Sequence, residues 1–283
     1  MGRRDRVEGA ATAATDGAGA ADQTFVVASG SGPVVALALH DGHAVRREVA
    51  ELLAIGDEER RREEDPFTAA WTALGDHRVV ARRSRFEVDL NRPPAEAVYR
   101  TPEQSWGLEV WRRSPPAEVV ERSMDVHRRF YARVGELFAE LAAHHRRFVV
   151  YDLHSYNHRR GGPGAAPDDL AENPDVNLGT GSLDRRRWAP LVERFLADLS
   201  RHGRAGQRLD VRENVRFRGG GFAQWAHATF PASACVLAIE WKKTFMDEWT
   251  GEPDEAAIAA VREALAATLP GVREELERLG ARR

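Results

Sequence analysis

An α/β fold built on a mostly parallel sheet is what this sequence predicts. Apolar runs short enough to be strands alternate along the chain with stretches of helical periodicity, the pattern of strand–helix–strand units. The clearest runs, VVALAL at 34–39, FVVY at 148–151 and ACVLAI at 234–239, are apolar throughout, as strands covered on both faces are. Each stops at a residue able to do chemistry, and the carboxyl edge of such a sheet is where ligands bind.

Composition bounds the rest. The 283 residues suffice for one large domain with a substantial core, and a net charge of -3 gives no reason to expect a polyanionic partner. Arginines are abundant, yet no basic aromatic platform accompanies them, so nucleic-acid binding is not expected. The single cysteine, Cys235, excludes an internal disulfide and a Cys-rich metal site; in ACVLAIE it reads as a core residue. No apolar run long enough to span a membrane and no secretory signal are present, which places the protein in the cytoplasm. GxSxG is absent, arguing against a serine hydrolase.

In chain order, residues 1–23 are Ala, Gly, Asp and Thr with few large apolar groups, and are expected to be a disordered tail; 24–283 is expected to be one catalytic domain. The first strand expected is 34–39, followed by HDGH and a helix striped by Val45, Val49, Leu52 and Leu53. The charged run DEERRREEDPFT reads mostly as a solvated face. Residues 79–90 alternate like a strand that ends in DLNRPP, where two prolines stop regular structure. Residues 99–116 carry two tryptophans without a period and suggest a flap over the site. A long amphipathic helix is predicted over 117–144, with Val126, Phe130, Val134, Leu137 and Leu141 on one face. After the 148–151 strand, 161–178 is rich in Pro, Gly and Asp and reads as a loop. Trp188, Leu191, Phe195 and Leu199 mark another helix, 209–217 reads as extended, and Gly219, Gly220 and Gly221 break it. The strand 234–239 ends at Glu240, and helices around 256–267 and 271–279 are expected to pack outside or fray.

Three strand ends thus carry His40 and His43, His154, and Glu240. Two imidazoles and a carboxylate can hold a zinc ion with one position left for water, and a further carboxylate can take the water's proton. Four motifs, VDLNRP, DLHSYNHRR, NVRFRGGGF and AIEWKKTFMDE, occur in that order within 34–250 and resemble the N-formylglutamate amidohydrolase family, a branch of the zinc carboxypeptidase-like superfamily. That resemblance implies a three-layer α/β sandwich with a mixed, mostly parallel central sheet. It also implies a zinc-dependent hydrolase that cleaves the amide of an N-formyl or N-acyl amino acid by attack of zinc-held water, with a small carboxylate-bearing amide as substrate.

By the resemblance, His40 and His154 are zinc ligands and Glu240 is the general base. The remaining ligand stays open between His43, three residues after His40, and the acidic group Glu63, Glu64 and Asp65, of which Asp65 is preferred. Asn91 and Arg92 match a pair that grips a substrate carboxylate, since a planar guanidinium donates two parallel bonds. Arg85 is a candidate for polarising the scissile carbonyl or for binding a second carboxylate. Arg216 or Arg218 would serve a second carboxylate, Gly220 would let backbone approach the substrate, and Ser155, Tyr156 and Asn157 would flank the metal, with Asp152 orienting a ligand. HDGH and EEDPFT depart from the HSG-proline and DTDWH-like forms of that family. A peptide-trimming carboxypeptidase-like enzyme and a metal- or ligand-binding module without turnover are the alternatives; the presence of Glu240 disfavours the second, because binding needs no base.

Overall fold

The computed structural model describes residues 24–203 and 208–281; the expected tail, 1–23, lies outside the described residues. Its centre is a seven-stranded sheet with strands β1 (Phe25–Ala28), β2 (Val34–Ala38), β3 (His77–Ala81), β4 (Phe148–Tyr156), β5 (Val176–Gly179), β6 (Val211–Glu213) and β7 (Ala234–Lys242), in the spatial order β1-β3-β2-β4-β7-β5-β6. The inner four, β3, β2, β4 and β7, run parallel; β1 pairs antiparallel with β3, and β5 antiparallel with β7, with β6 parallel to β5. The sheet is mixed and mostly parallel, as expected.

Helices cover both faces. Every residue of β4 is buried, so its side chains divide by the period of two. Val149, Tyr151 and Leu153 enter one core with Cys235, Leu237 and Ile239 of β7, closed by α5 (Arg185–Leu199), α7 (Glu255–Ala267) and α8 (Leu269–Ala281). Phe148 and Val150 enter the other with Ala234 and Val236, closed by α4 (Ala117–His145) and α6 (Gly221–Thr229). This alternation decides where the chemistry sits. Asp152 and His154 follow Phe148 and Val150 on the α4 and α6 side, and Glu240 follows Val236 there; the register sets His154 directly opposite Glu240.

Several expectations need correction. The strand read over 79–90 ends at Ala81: Glu87 and Val88 both donate to the Ser84 carbonyl, forming a turn. The apolar residues that mimicked alternation, Phe86, Val88 and Leu90, are all buried under that turn instead. The helix after HDGH is one turn, α1 (Arg47–Ala50), whose neighbours Leu52 and Leu53 still reach a satellite core. The charged run contains α2 (Asp57–Glu63), and its inner face is buried: Arg60, Glu63, Glu64 and Asp65 are all within the protein. β1 precedes the strand expected to be first, and α6 follows the glycines without having been foreseen. The last two helices pack firmly, with Leu265 and Val272 fully buried at about 1.5–3 kcal/mol each. Cys235 is a buried free thiol, as read.

Candidate active site

The ends of β2, β4 and β7 open into a cavity of about 540 Å3, with His40, Asp65, His154 and Glu240 among its walls. His40 stands two residues past β2 and His154 lies within β4. Asp65 comes from the loop between α2 and α3 (Thr68–Trp71), whose backbone amide donates to the His40 carbonyl at 2.9 Å. The two imidazoles lie 4.9 Å apart between centroids. Their Nδ1 atoms converge on one oxygen, Asp65 Oδ2, at 3.3 Å from His40 and 3.0 Å from His154. Ser155 Oγ donates to the other oxygen of Asp65 at 3.0 Å.

The far sides of the rings explain their orientation. His40 Nε2 meets Asp89 Oδ1 at 2.8 Å, and His154 Nε2 lies 3.0 Å from Asp152 Oδ1. Asp152 is fully buried, and its oxygens have no aligned hydrogen bond among the described residues, so the ring is its counterpart. An imidazole that gives its Nε2 proton to a carboxylate turns a lone pair outward from Nδ1, which is how metal-binding histidines are held. Four carboxylates, of Asp65, Asp89, Asp152 and Glu240, surround the rings against two cations, Arg85 and Lys243. The donor atoms of His40, Asp65 and His154 lie within 4.8 Å of one another, so this buried group could hold a metal ion.

Electrostatics agrees with the geometry. Burial alone would raise the Asp65 pKa, but His154 and His40 outweigh it and hold the carboxyl well below its usual range. Burial likewise opposes charge on His154, yet Asp152 and Asp65 keep its pKa well above the ordinary value. Glu240 behaves differently: burial pushes it up to about 7, only partly countered by His154, so this carboxyl can exchange a proton near neutrality.

Arg85 is clamped. It donates to Asp89 Oδ2 at 2.8 Å and to the Tyr99 hydroxyl at 3.1 Å, while Trp106 stacks over its guanidinium at 4.6 Å. Tyr99 in turn donates to Asp89. Asp89 therefore joins a cavity arginine to the His40 ring. Sequence reasoning passed over it, although it stands in the same Asp-Leu-Asn-Arg motif two residues before Asn91; Tyr99 and Lys243 were also missed.

The other candidates separate into cavity groups and supports. Asn91 turns its side chain inward, accepting from the Phe222 amide at 3.1 Å and lying 3.4 Å from His154 Nε2. Gly220 exists for that contact, since a Cβ there would fall 2.4 Å from Asn91 Oδ1; Gly219, at φ +98°, takes a backbone conformation other residues rarely adopt. Arg92 is half-buried on the cavity wall, near Glu96 at 3.7 Å. Arg216 lies over the Tyr156 ring and donates to Asn173 at 2.7 Å, and Arg218 is exposed at the same side. Ser155 serves Asp65 rather than standing free, and the Tyr156 hydroxyl donates away from the cavity to the Pro174 carbonyl, so Tyr156 contributes a wall under Arg216. Asn157 holds Glu63 at 3.1 Å.

His43 stands outside the group. Its Nδ1 is 2.6 Å from Glu64, its side chain is 35% exposed, and it does not line the cavity, because the turn after β2 carries it to the other side of the acidic loop. Of the two sets left open by sequence, the one containing Asp65 is brought together. His158 is likewise a support: Glu248 accepts from the amides of His158 and Arg159, both at 2.8 Å, and Asp247 pairs with the Arg159 guanidinium. Asp247 and Glu248 thus tie down the chain leaving β4.

The model of the N-formylglutamate amidohydrolase family matches residues 32–246. The crystal structure of an N-formylglutamate amidohydrolase from Ralstonia eutropha JMP134 is similar with a TM-score of 0.67 at 20% identity, over 90% of this chain and 98% of that one. A gene product of Agrobacterium tumefaciens gives a TM-score of 0.60 at 18% identity, over 89% of this chain and 97% of that one. These likenesses establish the shared fold. No curated protein matches at the level of sequence. The family model spans most of the chain and takes in β2, the Asp65 loop, β4 and β7 together, and the chain belongs to the N-formylglutamate amidohydrolase family.

Proposed function

We propose that this protein is a zinc-dependent amidohydrolase that cleaves the amide of an N-formyl or N-acyl amino acid of the N-formylglutamate type. One observation carries the reading: His40, His154 and Asp65 converge on the wall of one cavity with Glu240, a carboxyl poised near neutrality, beside them. His40 Nδ1, His154 Nδ1 and Asp65 would hold the ion, with Asp89 and Asp152 fixing the two rings. When bound, zinc supplies Lewis-acid polarisation of a carbonyl and lowers the pKa of water at its open position.

The chain's own groups do the rest. Glu240 takes the proton of the attacking water and returns it to the leaving nitrogen, a role suited to a carboxyl whose pKa burial has raised. Arg85 lies on the cavity wall with its charge already oriented by Asp89 and Tyr99, so it can stabilise the developing oxyanion with little reorganisation. Arg92 receives the substrate carboxylate, and Arg216 or Arg218, which line the same cavity, receives a second one. A carboxylate-bearing amide turned over in the cytoplasm is the partner this reading names.

Metal analysis of purified protein coupled to a screen of N-formyl and N-acyl amino acids tests it. About one equivalent of zinc is expected, with hydrolysis of acidic members of the panel abolished by chelation and restored by zinc. Full activity in metal-free protein would sink the proposal.

A further inference from the structure

Asp65 differs from the two histidines in where it comes from. His40 and His154 sit at or within strands of the sheet, and a carboxylate steadies each ring from behind. Asp65 lies in a loop, just after α2, and two residues later Phe67 adopts φ 70°, a left-handed conformation that is strained for a non-glycine residue and persists only when neighbours enforce it. Something must hold this loop against the sheet.

Lys243 is placed to do so. It follows β7 directly, three residues beyond Glu240, and is 1% exposed despite its charge. Its ammonium donates to the backbone carbonyls of Arg62 and Glu64, the second at 2.7 Å, so it grips the chain on the approach to Asp65. Burial pushes its pKa down, while Asp65, Glu63 and Glu248 favour the charge. Lys242 and Lys243 are the chain's only lysines among 41 basic residues. A compact ammonium with rotatable donors fits between two carbonyls where a planar guanidinium would not. Lys242 faces elsewhere and pairs with Asp175 at 3.3 Å.

We infer that Lys243 is a positioning residue for the metal site: by fastening the carbonyls of Arg62 and Glu64 to the end of β7, it sets Asp65 against His40 and His154. This rests on the metal reading above, and it assigns one strand end two tasks, the base and the fixing of the carboxylate ligand. Lys243 also lines the cavity, but in this role it acts through the chain that carries Asp65, which is why zinc affinity and not turnover is the readout.

Zinc affinity measured by competition with a chromogenic chelator tests the inference, with thermal melting of the metal-free proteins as the check on folding. Lys243→Met should bind zinc about 10–100-fold more weakly than wild type, the range seen when groups that orient metal ligands are removed. Lys243→Gln keeps amide donors for one carbonyl, should fall between the two, and serves in place of the Met variant if that one does not fold. Lys242→Met, of similar burial, should bind zinc like wild type. Lys243 variants that melt lower yet bind zinc within about twofold of wild type would reduce Lys243 to a stabilising residue and overturn this inference alone. A wild-type protein that takes up no zinc overturns the functional reading and this one together.

Discussion

The two walls of the cavity are built on different terms. On the histidine side, His40, Asp65, His154, Asp89 and Asp152 are all nearly fully buried, and each is held by at least one of the others. On the facing side Arg92 is half-buried, Arg218 is exposed, and Trp106 is 45% exposed on an irregular segment. The first wall gathers β4, the end of β2 and two buried loops that pair with one another, and the second lies mostly on less buried loops. Groups locked by mutual pairing are held in one geometry, whereas arginines on less buried loops keep more freedom to adjust. Arg85 joins the two: it faces the cavity but is anchored to Asp89, which also holds His40.

That contrast can be broken by substitution. The largest effect is expected at Glu240. Glu240→Gln should lower kcat by about 10^2- to 10^4-fold, the usual worth of a general base, with zinc content unchanged; an unaltered kcat would remove Glu240 from the chemistry. Next comes Asp89→Asn, which exchanges the carboxylate behind His40 for a weaker acceptor. Zinc affinity should fall about 10–100-fold in chelator competition, and an unchanged affinity would show that His40 needs no such support.

The loop wall should respond in a different parameter. Arg92→Ala is expected to raise KM for carboxylate substrates about tenfold with little change in kcat, because it removes binding shared by ground and transition states. An equal loss on a neutral amide would argue against carboxylate recognition. Smallest of all is His43→Ala. With its partly exposed pairing to Glu64, it should cost no more than about 1 kcal/mol of stability and leave zinc content as in wild type; loss of the metal would return His43 to the ligand set.

How far the site was legible in the sequence follows from the same division. His154 and Glu240 could be found because each ends a continuous apolar run, and a buried parallel strand announces itself by composition. The long helix α4 was legible for a similar reason, its apolar stripe repeating over 29 residues. Asp65 was only one of three adjacent acids, and the charged run around it read as solvent-facing. Its surroundings, Lys243 on the carbonyls just before it and the two imidazoles at its carboxylate, come from distant parts of the sequence. Asp89 was hidden for the same reason, since an acid at the end of a false strand shows nothing of the arginine, tyrosine and histidine that gather around it.

Local physics therefore determined the strands, the major helices and the polar residues that finish them, because periodicity and burial are recorded in consecutive side chains. Tertiary structure alone decided which acid joins the histidines, that His43 is turned away, that Gly220 makes room for Asn91, and that a buried lysine grips the loop before Asp65. Those choices are made by register and by contacts across the sheet, such as His154 facing Glu240 on neighbouring strands. A one-residue slip in that pairing would shift Glu240 out of line with His154, and no stretch of sequence read by itself contains that information.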